Sequence, residues 1–400
     1  MSDNVHGYLT ETEWKVSGNG KFTFGIKHGK PYFIKELNSP VYPYNKENYT
    51  QKMYKRSIDE CKEFEKSTGK LIKDLEKASG KCKSIVCPKF FREGPRYYFV
   101  SEKITDRTLS VDEVSKLDIN VKLDLALQFA NALEALQSVN IVHGDLKPSN
   151  LFVCETKSGL KLKIIDFDGC YYSGSPPNPE LTTGTEKYYS PELGTYICSE
   201  DSDLKHIVTC KSDIFAAGLI IHEYFFGIKI RERRNRHAFQ ADLDSDLIIH
   251  RTSSKYSAYI KNLIKIKSNE RFDAHQFKKY TEDLIKTHSI DDFTPGFEST
   301  RLRTTIIDKD LEPYILMVDD ITYVYVDNLD NHIYITKEMA QNLSRNKRIP
   351  ILNETSTEYP LIEPEIIRKD PSTVTVRMPD GSTISMPTIA YDIMKKKGKL

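Results

Sequence analysis

The sequence predicts an α+β chain in three parts, and three observations carry that reading. Segments rich in aromatic and β-branched residues dominate residues 13–103 and enclose one helical stretch. Apolar residues at helical spacing dominate residues 110–287. Alternating apolar and polar residues return over residues 301–400, which read as a small β-rich domain. A chain of 400 residues, 39% hydrophobic and 29% charged, has ordinary globular composition and can bury a large core without disulfides. Lys and Arg total 58 against 57 Asp and Glu, a net charge of +1, which argues against a bulk nucleic-acid or membrane-surface binder. The first residues lack a signal pattern, Ser2 excludes N-myristoylation, and no run of 18 apolar residues is present. The 7 scattered cysteines contain no close pair, so a cytoplasmic protein with reduced thiols is expected and a zinc site is not.

The elements follow in order. WKVSGNGKFTFGI, PYFIKEL and RYYFVSEKI read as strands, and Ile58, Cys61, Phe64, Thr68, Leu71, Ile72 and Leu75 space a helix over residues 46–78. Residues 117–139 form a strong amphipathic helix. Residues 211–227 are apolar nearly all round and predict a buried helix, and 257–266 and 273–287 predict two more. Residues 290–300 read as a linker. Beyond it, residues 314–336 read as a hairpin, and 373–387 as another turning at Asp380-Gly381.

The chemistry concentrates in Ile-Val-His-Gly-Asp-Leu-Lys-Pro-Ser-Asn, residues 141–150. Phosphoryl transfer asks little covalent help of a protein; it needs a carboxylate to orient and deprotonate the attacking hydroxyl, and oxygen ligands for magnesium. Asp145 suits the first task and Asn150 the second, while Lys147 can neutralise charge on the moving group. The segment resembles the catalytic loop of eukaryotic-type (Hanks-type) serine/threonine protein kinases. Asp166, in Ile-Ile-Asp-Phe-Asp-Gly, matches that family's magnesium-binding aspartate, although Asp168 stands where the family has glycine. Gly184-Thr-Glu-Lys-Tyr-Tyr-Ser-Pro-Glu192 resembles the end of an activation segment. By that resemblance Thr185 bonds to Asp145 and Lys147, Glu192 pairs with Arg271, and Asp213 anchors the catalytic-loop backbone.

The resemblance is looser in the first part. Gly18 and Gly20 stand in for the glycine-rich loop over the phosphates, with Thr23 at the third glycine, and Lys35 for the α/β-phosphate lysine. Its carboxylate partner is sought among Glu60, Glu63 and Glu65, with Glu65 preferred. Glu102 and Lys103 would hold adenine by backbone groups, and Ser101 would leave an open back pocket.

The resemblance covers residues 14–287 and implies a two-lobed protein-kinase-like fold. The kinase domain is placed at 8–290 (first lobe about 8–103, second about 104–290), the linker at 291–300, and a β-rich domain of unknown role at 301–400. It implies ATP and Mg2+ as cofactors and a protein substrate with a Ser or Thr acceptor. No nucleic acid and no membrane are expected as partners, and a protein partner of the C-terminal domain stays open. The mixture looks bacterial. Two alternatives remain: a small-molecule phosphotransferase of the aminoglycoside- or choline-kinase type, and an inactive pseudokinase scaffold. Arg231, Arg233, Arg234 and Arg236 read as a solvated surface or an acidic-substrate dock. Gly144 replaces the arginine that many such kinases carry before the catalytic aspartate, which implies activity without loop phosphorylation.

Overall fold

Strand alternation builds the first lobe. Strands β1 (Asn4–Val5), β2 (Tyr8–Thr10), β3 (Lys15–Ser17), β4 (Gly20–Lys27) and β5 (Lys30–Leu37) precede helix α1 (Gln51–Lys81), and β6 (Lys89–Glu93) and β7 (Arg96–Glu102) follow it. They form one antiparallel sheet in the order β1-β2-β4-β5-β7-β6, with β3 paired to β4. Successive residues of β7 feed opposite faces, as the two-residue period requires. Tyr97 and Phe99 join the main core, whereas Tyr98 and Val100 pack with Val5, Tyr8 and Ile34. The sheet curls until its ends meet: Phe91 of β6 stacks on His6, ring centroids 4.5 Å apart. Helix α1 starts at Thr50, whose side chain accepts from the Met53 N–H. It buries Cys61, Thr68, Ile72, Leu75 and Ala78, one stripe at helical spacing.

The structure, a computed structural model, describes residues 4–11, 13–17, 20–44, 46–182, 184–199, 202–232, 236–249 and 254–288, and then 314–317, 323–326, 332–335, 340–341, 344–345, 351–353, 365–369, 373–377 and 383–387. The chain divides into two compact units, residues 1–299 and 300–400.

The second lobe begins with β8 (Thr108–Leu109), α2 (Val111–Ser115) and α3 (Ile119–Gln137). Short strands β9 (Ile141–Val142), β10 (Leu151–Thr156), β11 (Gly159–Ile164) and β12 (Tyr171–Tyr172) carry the loops of interest. Helices α4 (Pro191–Ser199) and α5 (Lys211–Phe226), the pair β13 (Arg231–Glu232) and β14 (Leu247–Ile248), and helices α6 (Ser254–Leu263) and α7 (Ala274–Thr287) complete it. Helix α5 is buried at every position from Ser212 to Phe225, as its all-round apolar sequence demands. One continuous core joins Leu75 and Phe99 to Phe129, Ile220 and Phe277.

The unit 300–400 contains a sheet ordered β17 (His332–Ile335), β16 (Tyr323–Val326), β15 (Tyr314–Met317), β18 (Ile351–Asn353), and an antiparallel set β19 (Glu365–Lys369), β20 (Thr373–Arg377), β21 (Thr383–Pro387). The expected hairpin over 314–336 is three strands, with β18 added in parallel to β15. The Asp380-Gly381 turn and the linker 291–300 lie outside the described residues. Among the described residues no helix is long and apolar enough to cross a membrane.

Three expectations shift. Strands β1 and β2 are too short to announce themselves by periodicity. The helix begins at Gln51, because residues 46–48 form a separate 3-10 turn. Thr23 is not in a loop: it is fully buried within β4, opposite Ile34. Ser17 pairs with Gly20, so only two residues separate β3 from β4. Gly18 lies outside the described residues.

Candidate active site

The loop between β9 and β10 is held by its own backbone. Asp213, in the first turn of α5, accepts from the N–H groups of His143 at 2.7 Å and Gly144 at 3.1 Å. The His143 ring contacts the Ile165 carbonyl at 3.0 Å and packs on Phe167. This ties the loop to the segment that follows β11. Gly144 has φ +78°, and a Cβ there would stand 2.7 Å from a ring carbon of Tyr171, so the position requires glycine twice over.

Asp145 then projects beside Lys147 and Asn150. The Lys147 ammonium donates to Asp145 Oδ2 at 2.6 Å and to the Thr185 hydroxyl at 3.0 Å. Lys147 therefore bridges Asp145 and Thr185. The Asn150 amide donates to the Asp145 carbonyl at 2.9 Å, which leaves its own amide oxygen as an acceptor. Asp145 Oδ1 is buried with no hydrogen-bond partner.

Asp166 follows β11 with a left-handed φ of 66°, and Phe167–Gly169 make a single 3-10 turn. Lys35 reaches across from β5. Its ammonium binds Asp168 closely and lies 3.7 Å from Asp166. Burial opposes the charge on Lys35, but Asp168 and then Asp166 outweigh it and raise its pKa. Burial first, then the neighbouring Asp168 carboxyl, pushes Asp166 up to about 7. Three carboxylates (145, 166, 168) face two ammonium groups (35, 147), so the cluster is short of positive charge. Hard oxygen donors lacking a cation suit magnesium, which takes few protein ligands and keeps water and phosphate oxygens. Asp166 and Asn150 would be its ligands here.

Between the lobes of this unit lies a cavity of about 300 Å³, lined by Phe24, Phe33, Phe99, Phe152, Ile104 and the Lys35–Asp166–Asp168 cluster, among others. Its walls are largely apolar, with phenylalanines prominent among them, and the Lys35–Asp166–Asp168 cluster supplies charge, the character of a nucleotide pocket. Ser101 and Glu102 line it too. Phe99, opposite Lys35 on the neighbouring strand, also lines the wall, so the space next to Ser101 is bounded by an aromatic ring. The Lys103 N–H is already given to the Pro31 carbonyl at 3.0 Å, and its ammonium lies 4.2 Å over the Phe24 ring. Among the described residues nothing pairs with the Ile104 N–H, one residue on, which leaves that donor for a base.

The expected partner of Lys35 is elsewhere. Glu65 accepts from Arg92 at 3.0 Å and from the Tyr97 hydroxyl at 2.9 Å. Glu60 accepts from Arg56 at 2.8 Å, and Glu63 is exposed. The signal for the observed partner is the glycine-to-aspartate departure at position 168. Position 168 has an ordinary negative φ, so a side chain is accommodated there without strain.

The activation segment docks as expected. Arg271, fully buried, donates to Glu192 at 2.7 and 3.1 Å. Arg231 and Arg236 line a separate cavity of about 280 Å³ near Lys187, with Arg236 engaged by Glu232 and Asp242. Arg233 and Arg234 lie outside the described residues.

A family model for the protein kinase domain matches residues 41–282, more than half of the 400-residue chain. A probable serine/threonine-protein kinase of Clostridium acetobutylicum is 29% identical over 139 residues, 34% of this chain and 19% of that protein. A serine/threonine-protein kinase of Xenopus laevis is 32% identical over 100 residues, 25% of this chain and 19% of that protein. A putative serine/threonine-protein kinase of Acanthamoeba polyphaga mimivirus is 24% identical over 168 residues, 41% of this chain and 55% of that protein. The chain thus spans from about a fifth to about half of these relatives' lengths.

Proposed function

The chain belongs to the protein kinase family, and from that premise we propose that it transfers the γ-phosphoryl group of ATP to serine or threonine hydroxyls of a protein substrate. The observation that supports this most is the Asp145–Lys147–Thr185 relay, whose carboxylate lies near enough to Asp166, a wall residue of the cavity, to act on its charge. The acceptor hydroxyl would meet the Asp145 carboxylate, which orients it and takes its proton as Lys147 steadies the charge. As the hydroxyl oxygen bonds to the γ-phosphorus, the bond from that phosphorus to the bridging oxygen breaks, and ADP leaves with the electron pair. Lys147 would stabilise the equatorial oxygens of the moving group, and Lys35 would bind the remaining phosphates. Magnesium on Asp166 and Asn150 would neutralise charge shared by the phosphates. The base would lie between the Phe24, Phe33 and Phe152 side chains, its edge toward the Glu102 carbonyl and the Ile104 N–H.

Thr185 and the buried Glu192–Arg271 pair hold the activation segment as a platform beside Asp145, which favours a polypeptide acceptor over a small molecule. The retention of Lys35, Asp145, Asn150 and Asp166 within one site speaks against an inert scaffold. The test is incubation with labelled ATP and magnesium. Label on protein serine or threonine supports the reading. Label in a small molecule, or none, overturns it.

A further inference from the structure

We propose that Asp168 is the positioning residue that holds Lys35 toward the nucleotide phosphates, in place of a carboxylate from helix α1. This rests on the ATP-site reading above. The geometry has four parts. The Lys35 ammonium is bound closely by Asp168, and Asp166 at 3.7 Å is the more distant second partner. The Lys35 and Asp168 side chains are largely buried, 12% and 15% exposed, so the pair is shielded from solvent screening. The α1 glutamates beside its buried stripe are committed elsewhere or exposed: Glu65 is taken by Arg92 and Tyr97, Glu60 by Arg56, and Glu63 and Glu76 are exposed. The buried stripe of the helix offers Cys61, Thr68 and Ile72, none of which carries a carboxylate.

The arrangement divides labour within one turn of chain. Asp168 restrains the lysine, and Asp166 is left with its carboxylate for a metal. A lysine held from the loop moves with that loop, so swinging α1 inward would not be a requirement for an ordered phosphate site.

A double-mutant cycle tests this on the full chain. Affinity for a fluorescent ATP analogue, read without turnover, and steady-state kcat and KM are measured for wild type, Asp168→Asn, Lys35→Met, the double variant and Glu65→Gln. Asp168→Asn is expected to weaken nucleotide binding and to lower kcat by about a hundredfold, the scale of a misplaced reacting group. The double variant should bind nucleotide no worse than Lys35→Met alone, because Asp168 acts through Lys35. Glu65→Gln should stay within about twofold of wild type on both readouts. If Asp168→Asn unfolds, Asp168→Glu, which keeps the charge, should retain part of the affinity that Asp168→Ala loses. The idea is overturned if Asp168→Asn binds and turns over like wild type, if its penalty multiplies with that of Lys35→Met, or if Glu65→Gln is the variant that loses activity. Should wild type bind nucleotide but label no protein, the kinase reading fails while the binding arm of the cycle still decides this one.

Discussion

Replacing Arg271 with methionine should unfold the first unit more easily by about 3–5 kcal/mol, the usual cost of stranding one charge of a buried pair. The guanidinium is fully buried and donates to both Glu192 oxygens, to the Lys265 carbonyl through Nε and Nη2, and to the Lys211 carbonyl. Methionine fills similar volume but supplies no donor. Glu192, 7% exposed, would keep only the Ser212 hydroxyl at 2.9 Å. In a unit of this size a loss of about 1 kcal/mol lowers the melting midpoint by about 2–4 °C, so a fall of roughly 10 °C is expected. Glu192→Gln in the same background removes the stranded charge and should recover part of the loss, giving a coupling of about 1–3 kcal/mol in denaturant titrations. An Arg271→Met protein within about 1 kcal/mol of wild type would refute the reasoning, since no buried charge would then have been left alone.

Three further outcomes are expected. Asp145→Asn should lower kcat by about two to four orders of magnitude with nucleotide affinity preserved, and Asp166→Ala should abolish transfer, both read from radiolabel incorporation. Protein expressed with a phosphatase and shown bare by mass spectrometry should be active, and alanine at Thr182 and Thr183 together should change the rate by less than about tenfold, or about 1.4 kcal/mol; a dead bare enzyme revived by loop phosphate would overturn this. The structural ground is that Tyr171 stands against Gly144, and a larger residue there would collide with its ring. A protein ending at Ser299 should fold and label a generic substrate, measured by the same assay after its melting transition is recorded.

The arrangement of the 141–150 loop was legible because it is local: Asp145, Lys147 and Asn150 meet through fixed spacing on one short stretch. The long-range pairs Glu192–Arg271 and Asp213 with the loop backbone were legible only through family resemblance, and the fold makes both. The Lys35 partner was not legible. Glu65 lies beside Cys61 and Thr68 on the same helical stripe, yet Tyr97 and Arg92 from the neighbouring strands capture it. Spacing along a helix says which residues share a face and not which strand hydroxyl waits across it. In the hinge, strand register likewise decides that the Lys103 N–H goes to Pro31, which leaves Ile104 with the next unpaired donor.

Helix α5 does more than fill space. Three successive residues at its start each fasten a different piece: the Lys211 carbonyl receives Arg271, the Ser212 hydroxyl reaches Glu192, and the Asp213 carboxylate holds the His143 and Gly144 amides. Because the helix behind them is buried along its length, none of these attachments opens without exposing the centre of the lobe. The His143 and Gly144 amides are thus expected to exchange with solvent slowly, on the scale of the buried helix that holds them. On the proposed function, motion would then be left to the parts hung from that anchor, with the Asp145 carboxylate held still by the loop it sits on.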